Sequence, residues 1–182
     1  GPVTRWLART IMRLIGWRMA GSFPDVPRLV VIAAPHTSNW DFFVGLSVRS
    51  ILEIDTRYVA KKELFRFPFG WMFRKLGGYP VDRSKNTRFV ESVAAIFAKH
   101  DRFSICITPE GTRSYAPKWK TGFYYIAIRA GVPIVMVSFD YPTKQVRVEP
   151  PFYPSGNMEK DLEYMRNYFR SSTGKHPEKG VR

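Results

Sequence analysis

The sequence predicts an α/β fold: a single domain with a largely parallel sheet flanked by helices, preceded by an N-terminal amphipathic helix. Three observations predict it. Through residues 29–139, apolar runs of strand length alternate with segments of helical period, the pattern of strand–helix–strand units in parallel sheets. Glycine and proline punctuate the joints between them. The chain has 182 residues and 45% apolar composition, about one domain, and can bury a core without disulfides.

The elements follow in order. Gly1-Pro2 has the look of a protease-cleavage scar and is set aside. Residues 3–19 have helical period: Val3, Trp6, Leu7, Ile11, Leu14 and Ile15 fall on one side, and Arg5, Arg9 and Arg13 on another. Trp17 borders the apolar face and Arg18 intrudes on it. Such a helix is either an interfacial anchor or a surface helix packed on its own core. Residues 21–27 are a connector, and the continuous apolar run 29–34 reads as a buried strand. A helix over Trp40–Leu52 and a strand over 57–60 come next. A short helix over 67–76 stops at Gly77-Gly78, and 79–81 is a short strand leading to Asp82-Arg83. Residues 86–100 read as a helix, 103–108 as a strand, 121–130 as a helix closed by Gly131, and 133–139 as a strand. Residues 144–148 form an edge strand and 157–170 a last amphipathic helix. The polar tail from Ser171 is expected to fray.

Composition narrows the partners. The formal charge of +14 is spread along the chain and attracts polyanions: nucleic acid, anionic lipid, coenzyme A phosphates or an acidic carrier protein. Aromatic content of 15%, with five tryptophans, tilts the choice towards a membrane interface. No run reaches the ~18 uncharged apolar residues of a spanning helix, and arginines recur through the N-terminus, which does not read as a signal peptide. The single cysteine, Cys106, lies in an apolar run and reads as a small buried hydrophobe rather than a reactive thiol. Without His-x-x-x-His or Cys-x-x-Cys spacing, no metal site is expected.

Two segments carry chemistry. In Pro35-His36-Thr37-Ser38-Asn39-Trp40-Asp41 a histidine and a carboxylate stand five residues apart after a strand. If a helix starts between them, Asp41 can reach back to one imidazole nitrogen, fixing the tautomer while the other nitrogen takes a proton. Backbone N–H groups at that helix start could hold an oxyanion. The competing reading is a structural histidine at a helix cap. In Glu110-Gly111-Thr112-Arg113, Gly111 permits a tight turn and Arg113 offers a fork for phosphate. Glu110 can orient that arginine or accept from a substrate hydroxyl, although a solvated turn with a surface ion pair has the same composition. Arg83 adds a second guanidinium after a strand, and Lys118 and Lys120 add charge beyond the turn. Strand C-terminal ends are where ligands bind in such sheets, so these groups are expected to converge.

Together these segments resemble the glycerolphosphate and 1-acylglycerol-3-phosphate (lysophosphatidic acid) acyltransferase family. The His-x4-Asp motif is met by His36 and Asp41, and the Glu-Gly-Thr-Arg block letter for letter at Glu110–Arg113. The glycine-to-arginine block looks like Gly78–Arg83, and the apolar proline block like Val132-Pro133-Ile134-Val135-Met136-Val137. Lys120 and Gly122 match the lysine-glycine element before it. The blocks keep family order over residues 36–137. The second has proline and aspartate where the commonest pattern has phenylalanine and a small apolar residue.

The resemblance implies a membrane-associated O-acyltransferase of phospholipid biosynthesis. Its acyl donor would be acyl-CoA or acyl carrier protein, used as co-substrate with no cofactor. The acceptor would be a lysophospholipid or glycerol phosphate, foremost 1-acylglycerol-3-phosphate. By the same resemblance His36 is the general base and Asp41 its support. Arg83, Glu110, Gly111, Thr112, Arg113 and Lys120 bind the acceptor, and the proline block is structural or part of an acyl channel. Residues 3–20 are then a membrane-interface helix, 21–170 the acyltransferase domain and 171–182 a polar tail. The site is peripheral on the cytoplasmic face, against an anionic membrane surface. The alternatives are acylation of another lysolipid, such as an amino-acid-based one, or a non-catalytic nucleic-acid- or lipid-binding protein. No nucleic-acid-binding domain motif supports a nucleic-acid partner.

Overall fold

A computed structural model of the chain describes residues 1–81 and 86–182. Seven strands form one sheet: β1 (Arg18–Ala20), β2 (Arg28–Ala34), β3 (Thr56–Lys61), β4 (Gly78–Val81), β5 (Phe103–Ile107), β6 (Ile134–Asp140) and β7 (Gln145–Val148). Their spatial order is β1-β7-β6-β2-β5-β3-β4. Every pair is parallel except β6 with β7, which a short turn can join only in antiparallel fashion.

The central strand β2 explains its own sequence. Val30, Ile32 and Ala34 face one hydrophobic layer, and Leu29, Val31 and Ala33 face the other. Successive strand residues point to opposite faces, so a strand covered on both sides has no room for polar alternation. The first layer is closed by α4 (Asn86–Ala98), α5 (Gly122–Ala130) and α6 (Met158–Arg170), through Val93, Phe97, Phe123, Ile126, Met165 and Phe169. The second is closed by α2 (Trp40–Leu52), through Val44 and Val48, and by α1 (Pro2–Leu14), through Met12. The remaining helix, α3 (Gly70–Lys75), follows a short 3-10 stretch, Lys62–Phe65, between β3 and β4.

Three differences from the sequence reading matter. First, the N-terminal helix stops at Leu14. Gly16 turns the chain at φ +81°, Trp17 is buried, and Arg18 enters β1 at the sheet edge instead of lying on a helix. Second, α1 does not bury its widest apolar face. It packs through Ala8 and Met12, while Trp6 and Leu14 remain 66% and 81% exposed and the rest of the stripe is also exposed. Arg5 pairs with Glu53 at the end of α2, whereas Arg9 and Arg13 are exposed.

Third, the tail is not frayed. Ser172 and Gly174 are buried, Thr173 N–H donates to Asp140 Oδ1 at 2.8 Å, and His176 N–H donates to Thr37 Oγ1 at 3.2 Å. Backbone hydrogen bonds, rather than apolar side chains, hold most of this strap down.

Candidate active site

The site forms where β2 and β5 end side by side. Ile32 is in register with Ile107, so the loops that follow leave the same sheet edge as neighbours. His36 and Glu110 therefore meet, and the His36 backbone N–H donates to Glu110 Oε2 at 2.8 Å. A contact across 74 positions thus follows from strand order.

Asp41 lies in the first turn of α2 and is buried. Its Oδ2 accepts from Thr37 N–H at 2.8 Å and Ser38 N–H at 2.9 Å, and lies 3.2 Å from His36 Nδ1. Its Oδ1 accepts from the Tyr141 hydroxyl at 2.6 Å. Burial works to raise the Asp41 pKa, but the hydrogen bonds from His36, Tyr141 and Ser38 outweigh it and hold the carboxyl below its ordinary range. An ionised carboxylate only accepts, so the proton between the two side chains belongs to Nδ1. That leaves Nε2 as the basic nitrogen of a ring that lines a cavity.

The same bonds narrow one expectation. The N–H groups of Thr37 and Ser38 serve Asp41, and that of Trp40 serves Ser38 Oγ at 3.2 Å. They are not donors for an oxyanion.

Glu110 is also placed differently. It is buried and orients the His36 backbone, not Arg113. Burial pushes its pKa up to about 7 against the pull of the His36 N–H, and its Oε1 has no hydrogen-bond partner among the described residues. Arg113 instead donates to Asn39 Oδ1, and both side chains line the cavity mouth with His36. Gly111 turns the loop at φ +66°, a conformation that side-chain-bearing residues rarely adopt. Thr112 Oγ1 accepts from Ser114 N–H at 3.2 Å. The Lys120 stem lies against Gly111, and that lysine borders a separate groove between α4 and α5 rather than the cavity beside His36. Arg83 lies outside the described residues.

The cavity itself has a volume of about 450 Å³. It runs beneath α2, between Phe42, Gly45, Leu46 and Val48 above and Val31, Ala33, Val137 and Phe139 of the sheet below, with Tyr58, Cys106 and Ile107 along its side. Its walls are mostly apolar; His36, Asn39, Asp41 and Arg113 stand at one end, and Arg49, Thr56 and Tyr58 add polar groups elsewhere along the lining. Within the expected proline block, Val137 reaches the cavity wall, while Ile134, Val135 and Met136 are core residues. Burial pushes the Cys106 thiol up to about 12, so it behaves as wall. Among the described residues, no three His, Cys, Asp or Glu side chains gather as a metal site would require.

Tyr141 is the site residue that the sequence reading missed. It follows β6 immediately, just as His36 follows β2, so the strand-end rule could have found it.

Comparison with known proteins adds to this geometry. Residues 24–140 match the family model described as Acyltransferase. The chain is similar to the 1-acyl-sn-glycerol-3-phosphate acyltransferase of Escherichia coli (strain K12), 32% identical over 124 residues, 65% of this chain and 49% of that relative. The corresponding Haemophilus influenzae protein is 29% identical over 146 residues, 75% of this chain and 59% of the relative. The human beta form is 26% identical over 163 residues, 84% and 57% of the two chains. The chain thus spans about half the length of these relatives. Its fold is similar to that of the 1-acyl-sn-glycerophosphate (LPA) acyltransferase of Thermotoga maritima, with a TM-score of 0.62 and 18% identity over 96% of this chain and 81% of the other.

Proposed function

We propose that this chain, which belongs to the acyltransferase family, moves a fatty acyl group from an acyl thioester to the free hydroxyl of 1-acylglycerol-3-phosphate at a membrane surface. The observation that carries this reading is the His36–Asp41 pair at one end of a largely apolar cavity. A base alone fits many reactions. A base opening onto a largely apolar cavity fits one whose substrate carries an alkyl chain.

In this reading the chain lies in the cavity with its thioester carbonyl beside His36. Nε2 takes the proton of the acceptor hydroxyl as that oxygen attacks the carbonyl carbon, and Asp41 stabilises the imidazolium that forms. The tetrahedral intermediate collapses with cleavage of the carbon–sulfur bond, and His36 returns the proton to the departing thiolate. The products are an ester and a free thiol. No metal or redox step is needed. Acyl-CoA and acyl carrier protein both supply the thioester. Arg113 at the cavity mouth is the phosphate ligand, with Arg83 assigned beside it from the sequence. Glu110 holds the His36 loop, Gly111 and Thr112 shape the arginine-bearing turn, and Lys120 buttresses it.

The protein binds peripherally through α1, on the cytoplasmic face. Among the described residues, no helix is long and apolar enough to cross a membrane. The exposed stripe of α1 beside Arg9 and Arg13 has the form of an interfacial anchor.

The test is to offer purified protein a panel of lysolipids with acyl-CoA or acyl carrier protein and to weigh the products. Diacylglycerol phosphate is expected. Equal use of acceptors with and without a phosphate would overturn the acceptor assignment, and transfer to none would overturn the activity.

A further inference from the structure

A second apolar projection stands apart from α1. Phe67, Phe69 and Trp71 are 96%, 61% and 67% exposed, and no large apolar side chain among the described residues is more exposed than Phe67. They lie where the 3-10 stretch turns into α3, and the turn is tightly built. Gly70 N–H donates to Arg66 C=O at 2.9 Å and Phe73 N–H to Phe69 C=O at 3.3 Å. A Cβ on Gly70 would fall 1.9 Å from the Phe65 carbonyl oxygen, so this close approach requires glycine. The Arg74 guanidinium covers the Phe65 ring at 5.6 Å, fixing the turn from below. The three rings are therefore presented to solvent by an ordered turn.

Charge beside the rings says what they meet. Arg66, Arg74 and Lys75 are all exposed on the same turn and helix. Aromatic rings backed by cations match the boundary between acyl chains and anionic headgroups.

The position supports the same occupant. α3 is bonded to the cavity wall: the Tyr58 hydroxyl donates to Phe73 C=O at 3.2 Å, and Arg49 donates to Leu76 C=O. Both Tyr58 and Arg49 line the cavity. α1 packs on α2 elsewhere, through Met12 and through Arg5 to Glu53. Two exposed apolar projections thus adjoin the helix that roofs the cavity.

We propose that the turn carrying Phe67, Phe69 and Trp71 inserts into an anionic bilayer as a second foothold. The protein then rests on two points, with the cavity wall beside the inserted turn. An alkyl chain passes from bilayer to cavity along apolar surface, without crossing water. The proposal rests on the membrane reading given for α1 and deepens it.

The test places an environment-sensitive fluorophore on Phe67→Cys and, separately, on Leu14→Cys. Both labels are placed in a Cys106→Ala background, because the native thiol is partly exposed and lines the cavity. Each protein is mixed with phosphatidylglycerol–phosphatidylcholine vesicles, with and without a bilayer-borne quencher. Both labels are expected to shift to the blue and to be quenched. The variant Phe67→Ser/Phe69→Ser/Trp71→Ser should bind vesicles roughly tenfold more weakly or worse, with unchanged transfer to a water-soluble short-chain acceptor. A label at 67 that stays in water while the label at 14 is quenched overturns the second foothold alone. Labels that both stay in water overturn the membrane reading itself. A blue shift at 67 that needs no vesicles and grows with protein concentration assigns the turn to a second copy of the chain and also overturns the proposal.

Discussion

The Tyr141 hydroxyl donates to Asp41 Oδ1 at 2.6 Å, on the carboxylate oxygen that His36 does not use. The ring of Tyr141 stands edge-on to buried Trp17 at 4.9 Å, so the phenol is fixed by the segment that joins α1 to the sheet. Asp41 is thereby held from two sides: by backbone N–H groups of its own helix start and by a residue from the far end of β6.

Tyr141→Phe keeps the ring and removes only this bond. A hydrogen bond to a charged group contributes about 1.5–3 kcal/mol, so the rate should fall roughly tenfold to a hundredfold if the full effect reaches the transition state. The Asp41 carboxyl, now less stabilised, should titrate higher, which its carboxyl carbon NMR shift followed against pH reads directly. A change in melting temperature with an unmoved Asp41 titration would assign Tyr141 to packing alone.

His36→Ala should lower kcat by about 10²–10⁴ and leave the acceptor KM nearly unchanged. Arg113→Ala should do the reverse, raising KM for a phosphate-bearing acceptor roughly tenfold to a hundredfold through one lost charge-assisted bond. Steady-state kinetics on both variants check the split. An Arg113→Ala loss that is equal for acceptors without phosphate would remove that residue from the phosphate site.

Glu110 makes stability depend on pH with a definite sign. Its carboxyl is raised from 4.5 to about 7 in the folded chain. The folded state therefore keeps a proton that the unfolded state releases, and stability falls as pH climbs from about 4.5 to about 7, then levels. At roughly 1.4 kcal/mol per pH unit, the loss amounts to about 3 kcal/mol. Asp41, held low, acts in a separate window: its contribution is full above 3.8 and disappears as pH falls through its folded value. Glu110→Gln retains an acceptor for the His36 N–H but cannot ionise. Urea unfolding at pH 5 and pH 8 should show wild type losing stability relative to this variant across that interval. Parallel curves would mean that Glu110 is charged throughout.

What was legible in the sequence was local. Asp41 reaches His36 because both lie within one strand-to-helix joint, and the apolar run of β2 states its own two-sided burial. Glu110 against the His36 N–H needs β2 and β5 to be neighbours, and no local pattern carries strand order. The three residues of β1 are too few to show alternation. The tail is polar by composition, yet its contacts are hydrogen bonds such as Ser172 Oγ to Ser138 Oγ at 2.9 Å, which apolar periodicity does not register.

Gly45 offers a direct measure of what fills the cavity. It lines the space from α2, and a Cβ there would meet only the tip of the Phe139 ring, at 3.9 Å. Gly45→Ala should fit, and it should stabilise the helix by up to about 1 kcal/mol. Gly45→Leu would project its branched end into the space an alkyl chain is proposed to use. Donor preference should shift towards shorter acyl chains, read by competing thioesters of graded length and weighing the esters. A uniform loss across all lengths would mean that the chain does not run past Gly45.

The last prediction concerns α1, where structure changes the choice of experiment. Deleting residues 3–19 would take Met12 and Trp17 out of the buried layer under α2. Removal of large buried side chains of this kind costs about 2–5 kcal/mol each, so lost vesicle binding in such a protein would report damage to the fold. The exposed stripe separates the two roles. Trp6 and Leu14 stand far out of the protein, and surface substitutions usually change stability by no more than about 0.5 kcal/mol. Trp6→Ser/Leu14→Ser should therefore melt like wild type and yet bind anionic vesicles more weakly. Transfer to vesicle-borne acceptor should slow, and transfer to a water-soluble one should continue. Met12→Ala should show the opposite pattern, with a lowered melting temperature and binding retained while folded. If Trp6→Ser/Leu14→Ser still binds vesicles as tightly as wild type, the stripe is not the anchor, and its exposure has another cause.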